Sequence, residues 1–363
     1  MNSRREVIVH IGTPKTGTTA LQLAFFKSIN YFEERNVCYP DLTKSGFGWS
    51  VERGLGTGNA NIHSAIPWGS NVAEERFAHI VHKAVGICGS SKTILMSSEI
   101  LTSTLATPNF WKTITKLSED LNLKFRFVVY LRDPFNWFIG CYQQFVKSSG
   151  FSENLDNFSS TFLHGHSELS FIMQKNFLEI MERAQESNSE FAIFRYEDSL
   201  PNIEKHFFEN VLGFDFESIG IASSKVNPTF NIMELEFHRG VNSISRPLGT
   251  LFNFERSDTA LAQHIKRYDY PDSKFVLSLE SRKILADVFQ QYRHTLAQIT
   301  NFADRVDYSI DTSKLVLKLD ETEEKFRNQI FELGRFVALS YTSGYINWDM
   351  NLKNEASSNQ KDE

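Results

Sequence analysis

The residues best suited to chemistry in this sequence form a loop rich in glycine and threonine near its start. The loop reads Gly12-Thr13-Pro14-Lys15-Thr16-Gly17-Thr18-Thr19. An apolar run, 7–11, precedes it, and a helical pattern follows with one apolar face made of Leu21, Phe25, Ile29 and Phe32. A strand, a glycine-rich loop and a helix N-terminus together hold phosphate, because loop amides point inward and the helix adds positive field. These residues therefore predict an anion-binding loop.

The spacing of the loop invites comparison with the nucleotide-binding motif G-x-x-x-x-G-K-S/T. Gly12 and Gly17 have the glycine spacing, and Thr19 occupies the Ser/Thr position. Thr18 occupies the lysine position, whereas the lysine of this loop, Lys15, lies between the two glycines. In a kinase or NTPase, the lysine of the motif contacts the terminal phosphates and the Ser/Thr hydroxyl binds Mg²⁺. The loop is therefore suited to phosphate but not to Mg-nucleotide chemistry of that kind.

Two charged residues follow predicted strands further along the chain. Glu99 follows the run 92–98, and Arg132 follows the run 125–131. Ligands of open α/β sheets sit at the carboxyl ends of the strands, so both residues are expected on the same rim as the loop. The planar fork of arginine suits phosphate. The structural alternatives are a helix-capping or salt-bridged Glu99 and an Arg132 that only supports the strand end.

Composition excludes several classes of protein. The chain has 363 residues, of which 41% are hydrophobic and 23% charged, which is the balance of a globular protein. The net charge of −6 gives no general basic field for nucleic acid, so any anion site must be local. No run reaches the length of a membrane span, and the start of the sequence carries no apolar leader, which predicts a cytoplasmic protein.

Cysteine and histidine patterns predict no metal site. Cys38, Cys88 and Cys141 are scattered, odd in number and without a C-x-x-C pair, which fits a reducing compartment and gives no zinc pattern. His164 and His166 alone do not make a metal site.

The segment 41–70 is too long and too rich in glycine for a simple connection. Its polar and aromatic groups are of the kind that bind sugars: Asn59, Asn61, His63 and Trp68. We interpret it either as a functional loop or as a surface excursion.

The loop resembles a known family. HIGTPKTGTTALQ, residues 10–22, is similar to the 5′-phosphosulfate loop of sulfotransferases that use 3′-phosphoadenosine 5′-phosphosulfate (PAPS), and most of all to bacterial, glycan-type members with H-I-G-x-x-K-T-G-T-T-x-x-Q. Arg132, Asp133, Pro134 and Tyr142 resemble the family's second motif, R-D-P-x-x-R-x-x-S-x-Y, which binds the 3′-phosphate. Gly140 stands where serine is usual and Trp137 where arginine is common.

Weaker resemblances follow. The turn Tyr196-Glu197-Asp198 is similar to the family's Y-E-D turn. This likeness implies Tyr196 near the adenine, with Glu197 and Asp198 holding the turn and capping the next helix. Asn227 and Thr229 resemble a V-N-x-S segment in which the hydroxyl serves a phosphate. The resemblance thus implies PAPS as the donor, adenosine 3′,5′-bisphosphate as the product, and the whole loop 12–19 as its binding site.

The resemblance also implies the reaction, which is transfer of a sulfuryl group to a hydroxyl of a glycan or glycolipid without a metal. Lys15 and the loop amides would neutralise charge on the leaving phosphate oxygen. The acceptor hydroxyl must lose a proton, and the candidate bases are Glu99, then His63, then His10, which we expect to be a packed histidine of the first strand.

The expected fold is α/β, a parallel sheet of about five strands with helices on both faces, like P-loop kinases. We expect a sulfotransferase domain over 1–310, a helical extension over 311–350 and a disordered tail over 351–363. The extension has Leu319, Phe326, Ile330 and Leu333 at helical spacing and would pack on the core or on a partner chain. A P-loop kinase and a non-catalytic nucleotide-binding module remain the alternatives.

Overall fold

The computed structural model describes these residues of the chain: 4–13, 15–42, 59, 71–98, 101–164, 177–221, 231–247, 274–298, 315–316, 318–319 and 321–342. The chain divides into two compact units, which we describe separately. The first unit comprises Met1–Cys141, Phe162–Pro228 and Lys283–Ile310, and the second comprises Tyr142–Thr161, Thr229–Arg282 and Asp311–Glu363. The three segments expected from the sequence remain a prediction.

The first unit is built on a parallel sheet of five strands. The strands are β1 Arg5–Ile11, β2 Val37–Cys38, β3 Thr93–Ser98, β4 Leu123–Leu131 and β5 Glu190–Arg195. Their order across the sheet is β2-β3-β1-β4-β5, and every neighbouring pair runs parallel. The expected α/β class with a five-stranded parallel sheet is therefore confirmed.

The described residues of both units also form helices. The helices are α1 Thr18–Lys27, α2 Ile29–Glu33, α3 Asn71–Ile87, α4 Leu101–Thr104, α5 Pro108–Asp120, α6 Pro134–Ser148, α7 Leu155–His164, α8 Phe177–Glu186, α9 Ile203–Asn210, α10 Ile232–Ser245, α11 Leu279–Ala297 and α12 Glu321–Thr342. Short 3-10 turns lie at Tyr196–Ser199 and Glu217–Ile219. The helical face predicted after the loop is split between α1 and α2, because Ser28 separates them.

The sheet is buried on both faces, as expected for parallel strands that read as continuous apolar runs. On one face, His10 of β1 makes edge contacts with Phe25 of α1 and Phe207 of α9. On the other face, Phe127 of β4 packs against Phe110 and Trp111 of α5. Helices therefore cover both faces, and burial of these aromatic rings fixes the position of the sheet.

The connections define where this sheet should bind a ligand. The chain leaves β1 towards β2 at one edge of the sheet, and it leaves β4 towards β5 at the other edge. Because β1 and β4 are neighbours, their connections diverge and open a crevice at their carboxyl ends, which is where open α/β sheets bind ligands. The loop after β1 and the residues after β4 flank this crevice.

The second unit contains a close crossing of α10 and α12. A Cβ atom added to Gly240 would lie 2.0 Å from the carbonyl oxygen of Phe331, and one added to Gly334 would lie 2.1 Å from that of Phe237. An apolar cluster surrounds the crossing: Met233, Phe237, Val241, Ile330, Val337 and Ala338. The C-terminal helix thus packs on α10, one of the two expected outcomes, and it begins at Glu321, after Leu319.

The cysteines depart from the expected pattern. Cys38 in β2 and Cys88 after α3 form a disulfide, with their Cα atoms 5.7 Å apart, and Cys141 is a buried free thiol. Stable disulfides are rare in reducing compartments, so this bond is at odds with the compartment inferred from the cysteine pattern. Among the described helices, none combines the length and the apolar character needed to cross a membrane. A cytoplasmic location remains a prediction.

Candidate functional site

The loop after β1 has an unusual backbone. Lys15 has a φ of 64° and Gly17 a φ of 73°, so two loop residues adopt the left-handed conformation. Gly17 is the N-cap of α1, and a Cβ atom at this position would lie 3.1 Å from Cγ2 of Ile203 and 3.5 Å from Cε2 of Tyr196. The fold therefore requires glycine at 17 for both its φ and its packing, whereas Lys15 holds a conformation that costs a non-glycine residue energy.

The threonine hydroxyls of the loop brace it from within. Thr13 Oγ1 donates to the carbonyl oxygen of Tyr130 in β4 at 2.6 Å and also lies 3.0 Å from Thr16 Oγ1. Thr16 Oγ1 in turn donates to the carbonyl oxygen of Thr13 at 2.7 Å, and Thr18 Oγ1 lies 3.4 Å from that oxygen. All three threonines are buried. Their hydroxyls thus fix the shape of the loop, and an anion held here would contact backbone amides.

Those amides come from the loop and the first turn of α1. The amide of Leu21 donates to the Gly17 carbonyl oxygen at 3.1 Å, which closes the first turn. The amides before Leu21 in a helix have no acceptor within the helix, and such amides are the donors that bind phosphate at helix N-termini. Thr19 lies half-buried in this turn, and Pro14 lies outside the described residues.

The start of the loop is tied to β3. The amide of Gly12 donates to the carbonyl oxygen of Ser98, the last residue of β3, at 3.0 Å. The end of β3 therefore lies beside the loop, as expected for parallel neighbours. Glu99 and His63, the two preferred candidate bases, lie outside the described residues.

Asn59 has a structural role rather than the sugar-binding role suggested by its segment. Its Oδ1 accepts from the amide of Ser97 at 2.8 Å, and its Nδ2 donates to the carbonyl oxygens of Leu95 at 3.0 Å and Pro40 at 3.3 Å. The side chain is buried. It satisfies backbone groups of β3 beyond the short pairing with β2, so Asn59 itself is fixed to this part of the sheet.

Arg132 joins the end of β4 to the loop. Its Nη1 donates to the carbonyl oxygen of Lys15 at 3.1 Å, and its Cζ lies 5.3 Å from the ring centroid of Tyr196. Tyr196 is half-buried; burial raises the pKa of its phenol, and the Arg132 charge acts in the opposite direction. Arg132 thus contacts both Lys15 of the loop and Tyr196 of the Y-E-D turn, so residues from three separate motifs lie together.

Asp133 and Glu197 hold the surrounding turns. Asp133 Oδ1 accepts from the amides of Phe135 and Asn136 at 3.1 and 2.9 Å, so it caps α6. The amide of Asp133 donates to Glu197 Oε1 at 2.9 Å, which links the two turns. The expectation that Glu197 and Asp198 cap the next helix is wrong, because Asn202 caps α9 by accepting from the Lys205 amide at 2.8 Å.

Gly140 lies against both cationic side chains. A Cβ atom at this position would lie 3.2 Å from Lys15 Cγ and 3.4 Å from Arg132 Nη1. The thiol of the next residue, Cys141, is buried, which raises its pKa to about 12, and the charges of Lys15 and then Arg132 act to lower it. Tyr142, the last match to the second motif, donates its hydroxyl to the Glu153 carbonyl oxygen at 3.1 Å and therefore supports the second unit.

His10 is a packed histidine, as expected. It is fully buried, and its Nδ1 lies 2.9 Å from Ser97 Oγ, which also accepts from Gln22 Nε2 at 3.1 Å. Burial lowers the pKa of its imidazole to about 3. A neutral imidazole enclosed by aromatic rings has no path to a substrate proton, so His10 is not a base for this site.

The structure thus brings together most of the residues chosen from the sequence. The described candidates near the β1 and β4 ends are Gly12, Thr13, Lys15, Thr16, Gly17, Thr18, Thr19, Arg132, Gly140 and Tyr196. The remaining candidates lie outside the described residues: Pro14, His63, Glu99, Asn227 and Thr229. Sequence reasoning missed Ile203 and Cys141, whose proximity to the loop depends on helix packing and leaves no local signal.

Comparisons with known proteins give no further support. Neither the models of protein families, nor the curated proteins, nor the solved structures that were compared match this chain.

Proposed function

We propose that this chain is a sulfotransferase that moves a sulfuryl group from PAPS to a hydroxyl acceptor, and that its sheet is of the P-loop kinase-like kind. The observation that carries the proposal is the bond from Arg132 Nη1 to the Lys15 carbonyl oxygen at the crevice between β1 and β4. It joins an anion-binding loop to an arginine suited to a second phosphate. A nucleotide with phosphates at two positions meets both groups.

The donor would be held by two parts of the site. The amides of the loop and of the first turn of α1, with Lys15, suit the 5′-phosphosulfate. Arg132 suits the 3′-phosphate, because a guanidinium has five N–H donors and the bond to Lys15 uses one of them. Tyr196, whose ring lies beside the guanidinium, is assigned to the adenine. Asn227 and Thr229 keep the phosphate role implied by the resemblance.

The chemistry follows from charge. The bond between sulfur and the bridging phosphate oxygen breaks as the acceptor oxygen forms its bond to sulfur, so negative charge grows on the leaving phosphate. Lys15 and the loop amides would stabilise that charge. The acceptor proton would pass to Glu99, which follows Ser98 at the end of β3, with His63 as the second candidate.

One observation favours sulfuryl transfer over a P-loop kinase. Thr18 stands at the position where a kinase has its lysine, and its side chain is buried with Oγ1 3.4 Å from the Thr13 carbonyl oxygen. A buried threonine that braces the loop cannot deliver a positive charge to terminal phosphates. The cation of this loop comes instead from Lys15, half-buried beside Arg132.

Calorimetry tests the donor. We expect adenosine 3′,5′-bisphosphate to bind more tightly than AMP, and ATP with Mg²⁺ to bind weakly. Preference for ATP with Mg²⁺ would favour a kinase or NTPase. Tight binding of adenosine 3′,5′-bisphosphate without turnover of PAPS on any acceptor would favour a non-catalytic nucleotide-binding module.

The acceptor class rests on the resemblance to glycan-type members. We propose a hydroxyl of a glycan or glycolipid, with the segment 41–70 as its binding region, because its sequence carries His63 and Trp68. Radiolabelled PAPS offered with a panel of glycans, glycolipids and small alcohols tests this assignment. Labelling of small alcohols alone would contradict it.

A further inference from the structure

Gly140 is an unexpected residue for its place in α6. Glycine weakens a helix interior relative to alanine, so its presence there usually has a packing reason. Here the reason is the loop: a Cβ atom at 140 would lie 3.2 Å from Cγ and 3.4 Å from Cβ of Lys15. The aliphatic stem of Lys15 therefore lies on the bare backbone of α6, in space that a side chain would occupy.

The same bare surface accommodates Arg132. The added Cβ atom would lie 3.4 Å from Arg132 Nη1, the atom that donates to the Lys15 carbonyl oxygen. Two cationic side chains thus approach α6 at one point. The buried thiol of Cys141 responds to both, because Lys15 and Arg132 each act to lower its pKa. Lys15 and Arg132 therefore both lie beside this part of α6, as shown by their distances to position 140 and by their effect on the pKa of Cys141.

We infer that Gly140 is a positioning residue that sets the direction of the Lys15 side chain. The backbone of Lys15 is held by Arg132 through the carbonyl oxygen, and its stem is held by the surface of Gly140. These two contacts would direct the ammonium group towards a phosphate held by the loop amides. This inference deepens the proposed function, because it takes PAPS as the donor from that proposal. Its requirement that the loop binds a phosphate group is tested separately.

A side chain at 140 should displace the stem by a few tenths of an ångström, because the contact is tight and lysine is flexible. Such a shift matters most when charge develops on the leaving oxygen, since transition-state stabilisation depends on the placement of the charge. We therefore expect Gly140→Ala to lower turnover of PAPS by about tenfold while affinity for adenosine 3′,5′-bisphosphate changes little.

The test is a double-mutant cycle with Lys15→Ala. If Gly140 acts through Lys15, Gly140→Ala should have no further effect once the lysine stem is gone. Gly86→Ala is the matched control, because Gly86 also lies within a helix, α3, and a Cβ atom there would meet nothing within 4 Å. Both alanine variants should unfold no earlier than the wild type, because alanine favours helix, and this separates positioning from loss of structure.

The cycle is measured on two quantities so that the inference and the proposed function can fail separately. The first is turnover of PAPS with an acceptor, and the second is affinity for inorganic pyrophosphate, a probe that needs only the loop. We expect Gly140→Ala to weaken pyrophosphate by about threefold in the wild-type background and not at all with Lys15→Ala. Equal effects in both backgrounds, no effect in either, or failure of the wild type to bind pyrophosphate would overturn the inference. If the pyrophosphate cycle behaves as expected but PAPS is not turned over, the proposed function fails alone.

Discussion

The guanidinium of Arg132 donates through Nη1 to the backbone carbonyl oxygen of Lys15 at 3.1 Å, across a sequence separation of 117 residues. The bond joins the end of β4 to the loop after β1. The residue that accepts this bond, Lys15, has the left-handed backbone conformation. Arg132 therefore supports a loop geometry that lysine adopts at a cost in energy. Arg132 therefore holds the loop, and we propose that it also binds a phosphate.

Arg132→Ala should lower the affinity for adenosine 3′,5′-bisphosphate by about tenfold to a hundredfold, because a hydrogen bond to a charged group contributes about 1.5–3 kcal/mol. An analogue without the 3′-phosphate should lose much less. Calorimetry on both ligands measures the difference. Arg126→Ala is the control, since Arg126 lies in β4, the strand that precedes Arg132, and donates to the Val211 carbonyl oxygen at 3.0 Å. Equal losses for the two ligands would show that Arg132 supports the loop without recognising the 3′-phosphate.

Gly17→Ala should destabilise the first unit and weaken phosphate binding together. The left-handed conformation costs alanine about 1–2 kcal/mol, and the Cβ atom would press on Ile203. Gly220→Ala is a close control, because Gly220 has a φ of 72° and a Cβ atom there would meet nothing within 4 Å. Denaturant unfolding should show Gly17→Ala to be about 1–3 kcal/mol less stable than the control. The same loss in both variants would mean that packing against Ile203 contributes nothing.

Stability should fall as the pH drops below about 6.5, where histidine in the unfolded chain gains a proton. Burial lowers the pKa of His10 to about 3 and that of His238 to about 4, so the folded protein keeps both neutral through this window. The unfolded state then binds more protons, and each histidine should remove about 1 kcal/mol from the free energy of unfolding between pH 7 and pH 5.5.

Denaturant titrations of the wild type, His10→Gln and His238→Gln at those two pH values measure this dependence. Each variant should lose about 1 kcal/mol less stability than the wild type over this interval, because one of the two buried neutral histidines is gone. An unchanged loss in both variants would contradict the assignment of the acid sensitivity to these two side chains.

The sequence predicts the loop and its arginine well, because each belongs to a short run after an apolar strand. Contacts that join distant parts of the chain have no such signal. From the sequence, Asn59 belongs to a group of residues that could bind sugar. The structure shows that its side-chain amide is hydrogen-bonded to the backbone of β3. From the sequence, Gly140 indicates only that a serine hydroxyl is missing. The structure shows that the aliphatic stem of Lys15 lies against this glycine. The disulfide between Cys38 and Cys88 depends on the approach of β2 to the end of α3, which spacing alone does not reveal.

Glu99→Gln should lower turnover of PAPS by about a hundredfold to ten-thousandfold, the usual contribution of a general base, while affinity for adenosine 3′,5′-bisphosphate stays intact. Glutamine keeps the shape of the side chain and removes its basicity. His63→Ala, measured beside it, should act mainly on the Michaelis constant for the acceptor. A nearly fully active Glu99→Gln with an inactive His63→Ala of unchanged acceptor affinity would reverse the two roles.

The central claim is that Lys15 and its loop act on the sulfuryl group of PAPS. Transfer of radiolabelled sulfuryl from PAPS to an acceptor, compared between the wild type and Lys15→Ala, tests it most directly. We predict that the wild type labels a glycan or glycolipid. Lys15→Ala should label it at least about a hundredfold more slowly, while adenosine 3′,5′-bisphosphate still binds with affinity close to that of the wild type. Turnover within a few-fold of the wild type by a folded Lys15→Ala variant, or no labelling of any acceptor by the wild type, would contradict the account.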